Sequence, residues 1–231
     1  MPTLIVRDYL DRDSRQTGVE NRGARAASGA TGTRAYAEVL QAMQSFTRGR
    51  DASTTDEIWL LEHDPVYTLG QASDIQHILP SATIPVVKTD RGGQVTYHGP
   101  GQIMIYFLAD IARLKLTVRE CVVALENVIV AVMKECGVEA AGDREAPGVY
   151  VKNKKVASIG LRISRGKSYH GLCLNYDASL EPFTHINPCG FPDLEVTQMA
   201  ECCAHLPSRP ALAEMIAAAF ARELGYQIEF A

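Results

Sequence analysis

Three apolar runs joined by two short polar breaks constrain the fold of this chain more than any other feature. The runs are GVYV (148–151), VASIGLRIS (156–164) and YHGLCLNY (169–176), and KNKK (152–155) and SRGK (164–167) stand between them. Branched and aromatic residues favour the pleated conformation, and breaks this short permit only hairpins. The spacing therefore predicts a meander of antiparallel strands. IWLL (58–61), the pair Val86 and Val87, IMIYFL (103–108) and YQIEF (226–230) read as further strands. Tyr36, Val39, Leu40, Met43 and Phe46 recur at helical spacing and predict a helix ending near Arg48 and Gly49. Thr117 and Glu120 form a capping-box pattern ahead of a long apolar stripe, with Gly137 as its stop. A last helix follows Pro210 and ends at Gly225. Strands mixed with a few separated helices predict an α+β fold, with a mixed, largely antiparallel sheet flanked by helices.

Composition narrows the class. With 231 residues, of which 46% are hydrophobic, the chain is long enough to bury its own core, and 1–231 reads as one domain. The net charge of −4 argues against a nucleic-acid binder that works by bulk attraction to phosphate, although a local basic groove stays compatible with it. The N-terminus lacks the pattern of a secretory signal. The most apolar stretch, 121–133, is interrupted by Glu126 and Asn127, which argues against a membrane span. The six cysteines include no C-x-x-C pair, so a reducing, cytoplasmic setting is expected. Adjacent Cys202 and Cys203 near His205 are poorly spaced for one metal ion, and no metal is expected. Residues 11–33, rich in Gly, Arg, Ser and Thr, read as an exposed loop.

Three stretches carry chemistry. RGGQVTYHGPGQ (91–102) places four glycines in twelve residues, which suits a backbone that lets a ligand approach closely; the plain alternative is a turn between strands. It matches neither the Walker pattern nor G-x-G-x-x-G. Pro188-Cys189-Gly190 holds a cysteine on a constrained turn, where a thiol is accessible to act as nucleophile or to remain inert. Lys154 and Lys155 open the second run of the meander. Lys154 reads as solvated at a hairpin tip, whereas Lys155 sits where a side chain can turn inward.

These stretches in this order, RGGQVTYHGPGQ, KVASIGLRI, YHGLCLNY and INPCG, with EHDPVYTLG at 62–70, resemble the octanoyltransferase (lipoate-protein ligase B) family. The resemblance runs from about Glu57 to the last helix. It implies the catalytic-domain fold of biotin and lipoate protein ligases. It also implies transfer of an octanoyl group from acyl carrier protein to a lysine of lipoyl domains, those of 2-oxoacid dehydrogenase E2 subunits and of the glycine cleavage H protein. The cysteine of N-P-C-G, here Cys189, would carry the acyl group as a thioester, with Lys155 as its partner. The acyl-binding segments would map onto Arg91, Gly92, Gly93, Gln94, Val95, Thr96, Tyr97 and His98, onto Ser158, Ile159 and Gly160, and onto Gly171, Leu172 and Cys173. No cofactor is implied, and no nucleic acid or membrane partner.

The chemistry of the residues agrees with that resemblance. Exchange of one thioester for another is nearly isoenergetic and needs no ATP, and a thiolate both attacks and leaves well. Lys155 can take the thiol proton and, when neutral, accept the proton of an incoming lysine. The oxyanion donors are backbone amides either near Cys189 or on 158–160. His98 is classed with binding rather than proton transfer, and His170 and His185 with support. His63 and Asp64, as neighbours on a strand, point to opposite faces and form no direct pair. Tyr97 reads as a pocket wall. Arg162, Arg165 and Lys167 are candidates for a basic surface that steers an acidic carrier, with ordinary solvation as the simpler reading. Two departures from the family pattern stand out: the long segment 11–33, and Cys173 where alanine is usual. The competing readings are an ATP-dependent lipoate or biotin ligase on the same fold, and a binding module without catalysis.

Overall fold

The computed structural model describes residues 1–10, 32–79, 81–187 and 194–231. Eleven strands are described: β1 (Thr3–Asp8), β2 (Asp56–Leu61), β3 (Val66–Leu69), β4 (Val86–Lys88), β5 (Val95–His98), β6 (Gln102–Leu108), β7 (Ala141–Gly142), β8 (Gly148–Val151), β9 (Lys154–Ser164), β10 (Lys167–Asn175) and β11 (Gln227–Phe230). The helices are α1 (Tyr36–Gly49), α2 (Val118–Glu135), the short α3 (Met199–Cys202) and α4 (Arg209–Leu224). Eight strands form one sheet in the order β11-β1-β2-β6-β10-β9-β8-β7, and β4-β3-β5 form a second, small sheet. The fold is mixed α+β. Only β11-β1-β2 pair in parallel in the large sheet.

The meander is present, and its turns explain themselves. Lys152 and Asn153 at the first turn, and Arg165 and Gly166 at the second, all have positive φ, the twist that two-residue hairpins require. The Thr117–Glu120 capping box opens α2, with the Thr117 backbone N–H donating to Glu120 Oε2 at 2.8 Å. Gly225 closes α4 in the left-handed conformation.

Strand alternation sorts the large sheet into two faces. Ile58, Leu60, Ile103, Ile105, Phe107 and Leu172 join α2 and α4 in the main core. Trp59, Leu61, Met104, Tyr106 and Cys173 lie on the other face, where Val39 and Met43 of α1 cover part of them. The small sheet builds a third cluster of Tyr67, Leu69, Val95, Tyr97, Phe183 and Ile186.

The expectation for 11–33 divides. Residues 11–31 lie outside the described residues, while Thr33 is buried and its hydroxyl donates to Asp64. The exposed reading therefore fails at that end. The glycine-rich stretch is also more than a loop, because 95–98 pair with β3 as a strand.

Candidate active site

A cleft opens on the α1 face of the large sheet, between β9, β10 and the glycine-rich stretch. It holds about 470 Å³ of empty space, counted with its open mouth. Twelve of the fourteen residues expected to bind the acyl group line it. Arg91, Gly93, Gln94, Val95, Thr96 and His98 form one side, and Ser158, Ile159, Gly160, Gly171, Leu172 and Cys173 form the other. Leu172 belongs to the helix-side core and Ile159 packs against it, so their share of the lining is main chain.

Gly92 and Tyr97 are not part of the lining. The Tyr97 ring packs on Tyr67 and Phe183 in the small-sheet cluster, because alternation along β5 turns it away from Thr96 and His98. The expectation of a wall position for Tyr97 is not met at this cleft.

Tyr36, Met104, Tyr106 and His170 also line the cleft, and sequence reasoning did not place them there. A signal existed in IMIYFL. Once Ile103 and Ile105 are assigned to the helix core, Met104 and Tyr106 must face the opposite side.

The glycine-rich stretch is fastened by Arg91. Its guanidinium donates to the Thr68 carbonyl at 2.7 Å, the Thr68 hydroxyl at 2.9 and 3.1 Å, the Gln94 carbonyl at 2.6 Å and the Gly92 carbonyl at 2.9 Å. Gly160 permits this approach: a Cβ there would stand 2.9 Å from the Gly92 carbonyl oxygen. Arg91 thus acts inside the loop as well as on the cleft surface.

Beneath the cleft lies a network of histidines and tyrosines. The His63 ring nitrogens contact the Arg34 carbonyl at 2.8 Å and the Tyr106 hydroxyl at 2.6 Å, and no His63–Asp64 pair forms. His170 Nε2 sits 2.8 Å from Asp90, which also accepts from Tyr169. Because Thr68 accepts from Arg91, its own proton goes to His98 Nε2 at 3.2 Å. The neutral His98 ring therefore carries its proton on Nδ1, and that buried nitrogen has no partner. His170 Nδ1 is likewise buried without a partner. Its ring donates through Nε2 to the Asp90 carboxylate, which leaves Nδ1 an acceptor.

Burial holds these imidazoles neutral. It lowers His63 to about 4, drives His98 well below the usual value, and lowers His170. Asp90 is held below the ordinary carboxylate range, first by its hydrogen bond from His170. The unfolded histidines take up protons near pH 6.5 and the folded ones do not. Their stabilising contribution is complete above that pH and declines below it; for His63 the decline runs from about 6.5 to about 4, at roughly 1.4 kcal/mol per pH unit. Thermal melts at pH 7.5, 6.0 and 5.0 are expected to show a steep decline below 6.5, and a flat profile would contradict the neutral network.

Lys155 is 1% exposed. The β8–β9 ladder shifts register between Val149 and Tyr150, and Val156 and Ala157 both enter the main core. Two consecutive residues on one face mark a bulge, which re-aims the residue before them. The Lys155 chain accordingly lies over Gly148, the ladder partner of cleft-lining Ser158: a Cβ at Gly148 would meet Lys155 Cε at 2.9 Å and Nζ at 3.3 Å. Its amine donates to the Pro147 carbonyl at 3.2 Å and stands 5.2 Å from the Tyr150 ring centre. Lys155 is not itself among the lining residues. Lys154 is exposed and pairs with Glu195 at 2.9 Å.

Cys189 lies outside the described residues, as do Pro188 and Gly190. Asn187 and Leu194, which flank that stretch, line one surface depression together with Lys154 and Glu195. The Lys155 N–H donates to the Glu195 carbonyl at 2.9 Å, and the Thr197 N–H to the Lys155 carbonyl at 2.9 Å. Among the described cysteines, burial pushes Cys121, Cys173 and Cys203 up to about 12 and raises Cys136. Buried thiols of this kind are poor nucleophiles. Among the described residues no group of three His, Cys, Asp or Glu is arranged to hold a metal, and no helix is long and apolar enough to cross a membrane.

The lipoyl protein ligase A/B catalytic domain model matches residues 35–221. An octanoyltransferase of Hahella chejuensis is 52% identical over 192 residues, covering 83% of this chain and 85% of that protein. The chain belongs to the octanoyltransferase family. The octanoyltransferase of Cellvibrio japonicus is 51% identical over 196 residues, covering 85% of this chain and 91% of the relative. Among solved structures, a bipartite lipoate protein ligase of Thermoplasma acidophilum superposes with a TM-score of 0.69 at 11% identity, covering 100% of this chain and 87% of that one. At that identity the likeness is one of fold. The protein is thus an octanoyltransferase with a lipoate-ligase fold.

Proposed function

We propose that this octanoyltransferase takes its acyl group from acyl carrier protein, holds it as a thioester on Cys189, and passes it to a lysine of lipoyl domains in the cytoplasm, the whole chain acting as one catalytic domain. The acceptors would be the E2 subunits of 2-oxoacid dehydrogenases and the glycine cleavage H protein. The observation that carries the reading is the burial of Lys155 over Gly148, beside the cleft, with its backbone tied to Glu195 and Thr197 a few residues beyond Cys189.

The steps follow from that arrangement. The Lys155 amine takes the Cys189 proton, and the thiolate attacks the thioester carbonyl of the donor, expelling the carrier's thiolate. The ammonium left on Lys155 supplies the proton that thiolate needs. The octanoyl tail lies in the cleft between the glycine-rich stretch and 158–160 and 171–173. In the second half the acceptor amine attacks the Cys189 thioester, Lys155 takes a proton from that nitrogen, and the Cys189 thiol is restored. The His98 Nδ1 proton is a donor in search of an acceptor, which suits binding. With its basicity so low, His98 is a poor proton carrier. The raised thiols of Cys121, Cys136, Cys173 and Cys203 make those four poorer candidates for the nucleophile than Cys189.

Intact mass after mixing with octanoyl-acyl carrier protein tests this. One octanoyl adduct per chain is expected on the wild type and none on Cys189→Ala. An adduct that survives the substitution would refute the thioester on Cys189.

A further inference from the structure

We infer that the protein carries a second ligand site, for a phosphate-type oxyanion, between the C-terminal end of α1 and the β9–β10 turn. A cavity of about 900 Å³, counted with its mouth, opens there. It is lined by Thr47, Arg48, Arg50, Ser164, Arg165 and Lys167, four cations and no carboxylate. Along β9, Ser164 lies four residues beyond cleft-lining Gly160, roughly 13 Å at about 3.3 Å per residue, and no residue lines both cavities. The site is therefore distinct from the acyl cleft.

Charge alone does not make a site, since exposed arginines are ordinarily solvated. The deciding feature lies on two of the lining residues, Thr47 and Arg50. The Arg50 side chain is 1% exposed; its Nη2 donates to Asp56 and its guanidinium carbon lies 5.3 Å from the Phe46 ring centre. Arg50 Nε and Nη1 are buried without any hydrogen-bond partner, and so is the Thr47 hydroxyl. Three of the seven buried unpartnered side-chain atoms among the described residues thus gather at one basic cavity. Unpaired buried donors on a charged group are costly, and native structures rarely leave them unanswered.

Two other accounts of the cations fall short. Basic residues suit a helix C-terminus, whose carbonyls attract positive charge. A capping Arg50, however, would donate Nε or Nη1 to those carbonyls, and neither does so. Local carboxylates do not answer them either. Asp56 is shared among Arg50, Arg113, the Asp110 N–H and the Tyr226 hydroxyl, and Asp110 is paired with Lys167 at 3.7 Å. Positive charge remains in excess. A tetrahedral oxyanion with several acceptor atoms and up to two negative charges matches a site of guanidinium, ammonium and hydroxyl donors. Free phosphate and the phosphate group of a small monoester share that chemistry.

Isothermal titration of the whole protein with inorganic phosphate and, separately, with glycerol 3-phosphate tests the site, chloride being adjusted to hold the ionic strength constant. Saturable one-to-one binding of either is expected, and which one binds more tightly identifies the source. Arg48→Ala combined with Arg165→Asn alters only exposed side chains, and asparagine tolerates the positive φ at 165. That double variant is expected to melt as the wild type does without phosphate and to bind it about tenfold more weakly. Thr47→Val removes an unanswered hydroxyl. It is expected to leave the melting temperature without phosphate unchanged or higher, and to weaken binding severalfold. No saturable binding up to 10 mM (roughly the weak limit of a specific small-ion site), or equal affinity in both variants and the wild type, would overturn the inference.

Discussion

Lys155→Ala is expected to slow octanoyl transfer to Cys189 by roughly 10²–10⁴-fold, the usual contribution of a positioned general base. Lys154→Ala is expected to leave it within about twofold, as for an exposed ion pair of little energetic weight. The contrast rests on burial: one amine is enclosed beside the cleft, and its neighbour sits in solvent against Glu195. Lys155→Met is the informative companion, because it keeps the length and packing of the stem while removing the proton acceptor. A wild-type melting temperature with a lost adduct rate in the methionine variant separates chemistry from folding. The pH profile gives a second check. A wild-type rate that rises with pH as the thiol ionises should reappear in Lys155→Met at higher pH, where solvent takes over deprotonation. Equal effects of the two alanine substitutions would remove Lys155 from the mechanism.

Much of this arrangement was legible in the chain, and the omissions have physical causes. The meander was readable because each of its strands is longer than the turn beside it and each turn holds one residue that tolerates positive φ, Asn153 and Gly166. β1 was not read, although TLIVRD carries a run of branched residues, because its partners are β2 and β11, about 50 and 220 residues away. Nothing local announces a parallel pairing of that kind. β5 was hidden inside the glycine-rich stretch, where composition suggests a turn but the pairing with β3 decides otherwise. The inward turn of Lys155 was left open by the sequence, since a strict alternation from Ala157 puts it in the helix core. The bulge at Val156, visible only in the ladder, reverses that. The segments that the resemblance implied for acyl binding do border one cleft, while the face on which Tyr36, Tyr106 and His170 meet depended on tertiary packing. Tyr97 falls outside the lining for a local reason, since alternation along β5 sends its ring into the small-sheet cluster.

Arg91 is where the cleft and the stability of the fold meet, and Arg91→Ala is expected to damage both. Removing the guanidinium leaves the buried Thr68 carbonyl and the half-buried Gln94 and Gly92 carbonyls without their donor. Hydrogen bonds to a charged group contribute about 1.5–3 kcal/mol each, and a buried network loses less than their sum as it relaxes. A net loss of about 3–5 kcal/mol is expected, which for a chain of this size lowers the melting temperature by roughly 6–20 °C. Thr68 would then turn its proton elsewhere, His98 would lose its fixed tautomer, and the glycine-rich stretch would leave its seat over Gly160. The KM for the octanoyl donor should therefore rise more than kcat falls. Arg91→Lys restores the charge but not the fork of donors, so it should recover only a minor part of either loss. Melting curves together with kcat and KM for the three proteins check this. A lysine variant equal to the wild type would show that Arg91 acts through charge alone, and an alanine variant melting within 2 °C of the wild type (less than about 1 kcal/mol) would show that the loop is held by something else.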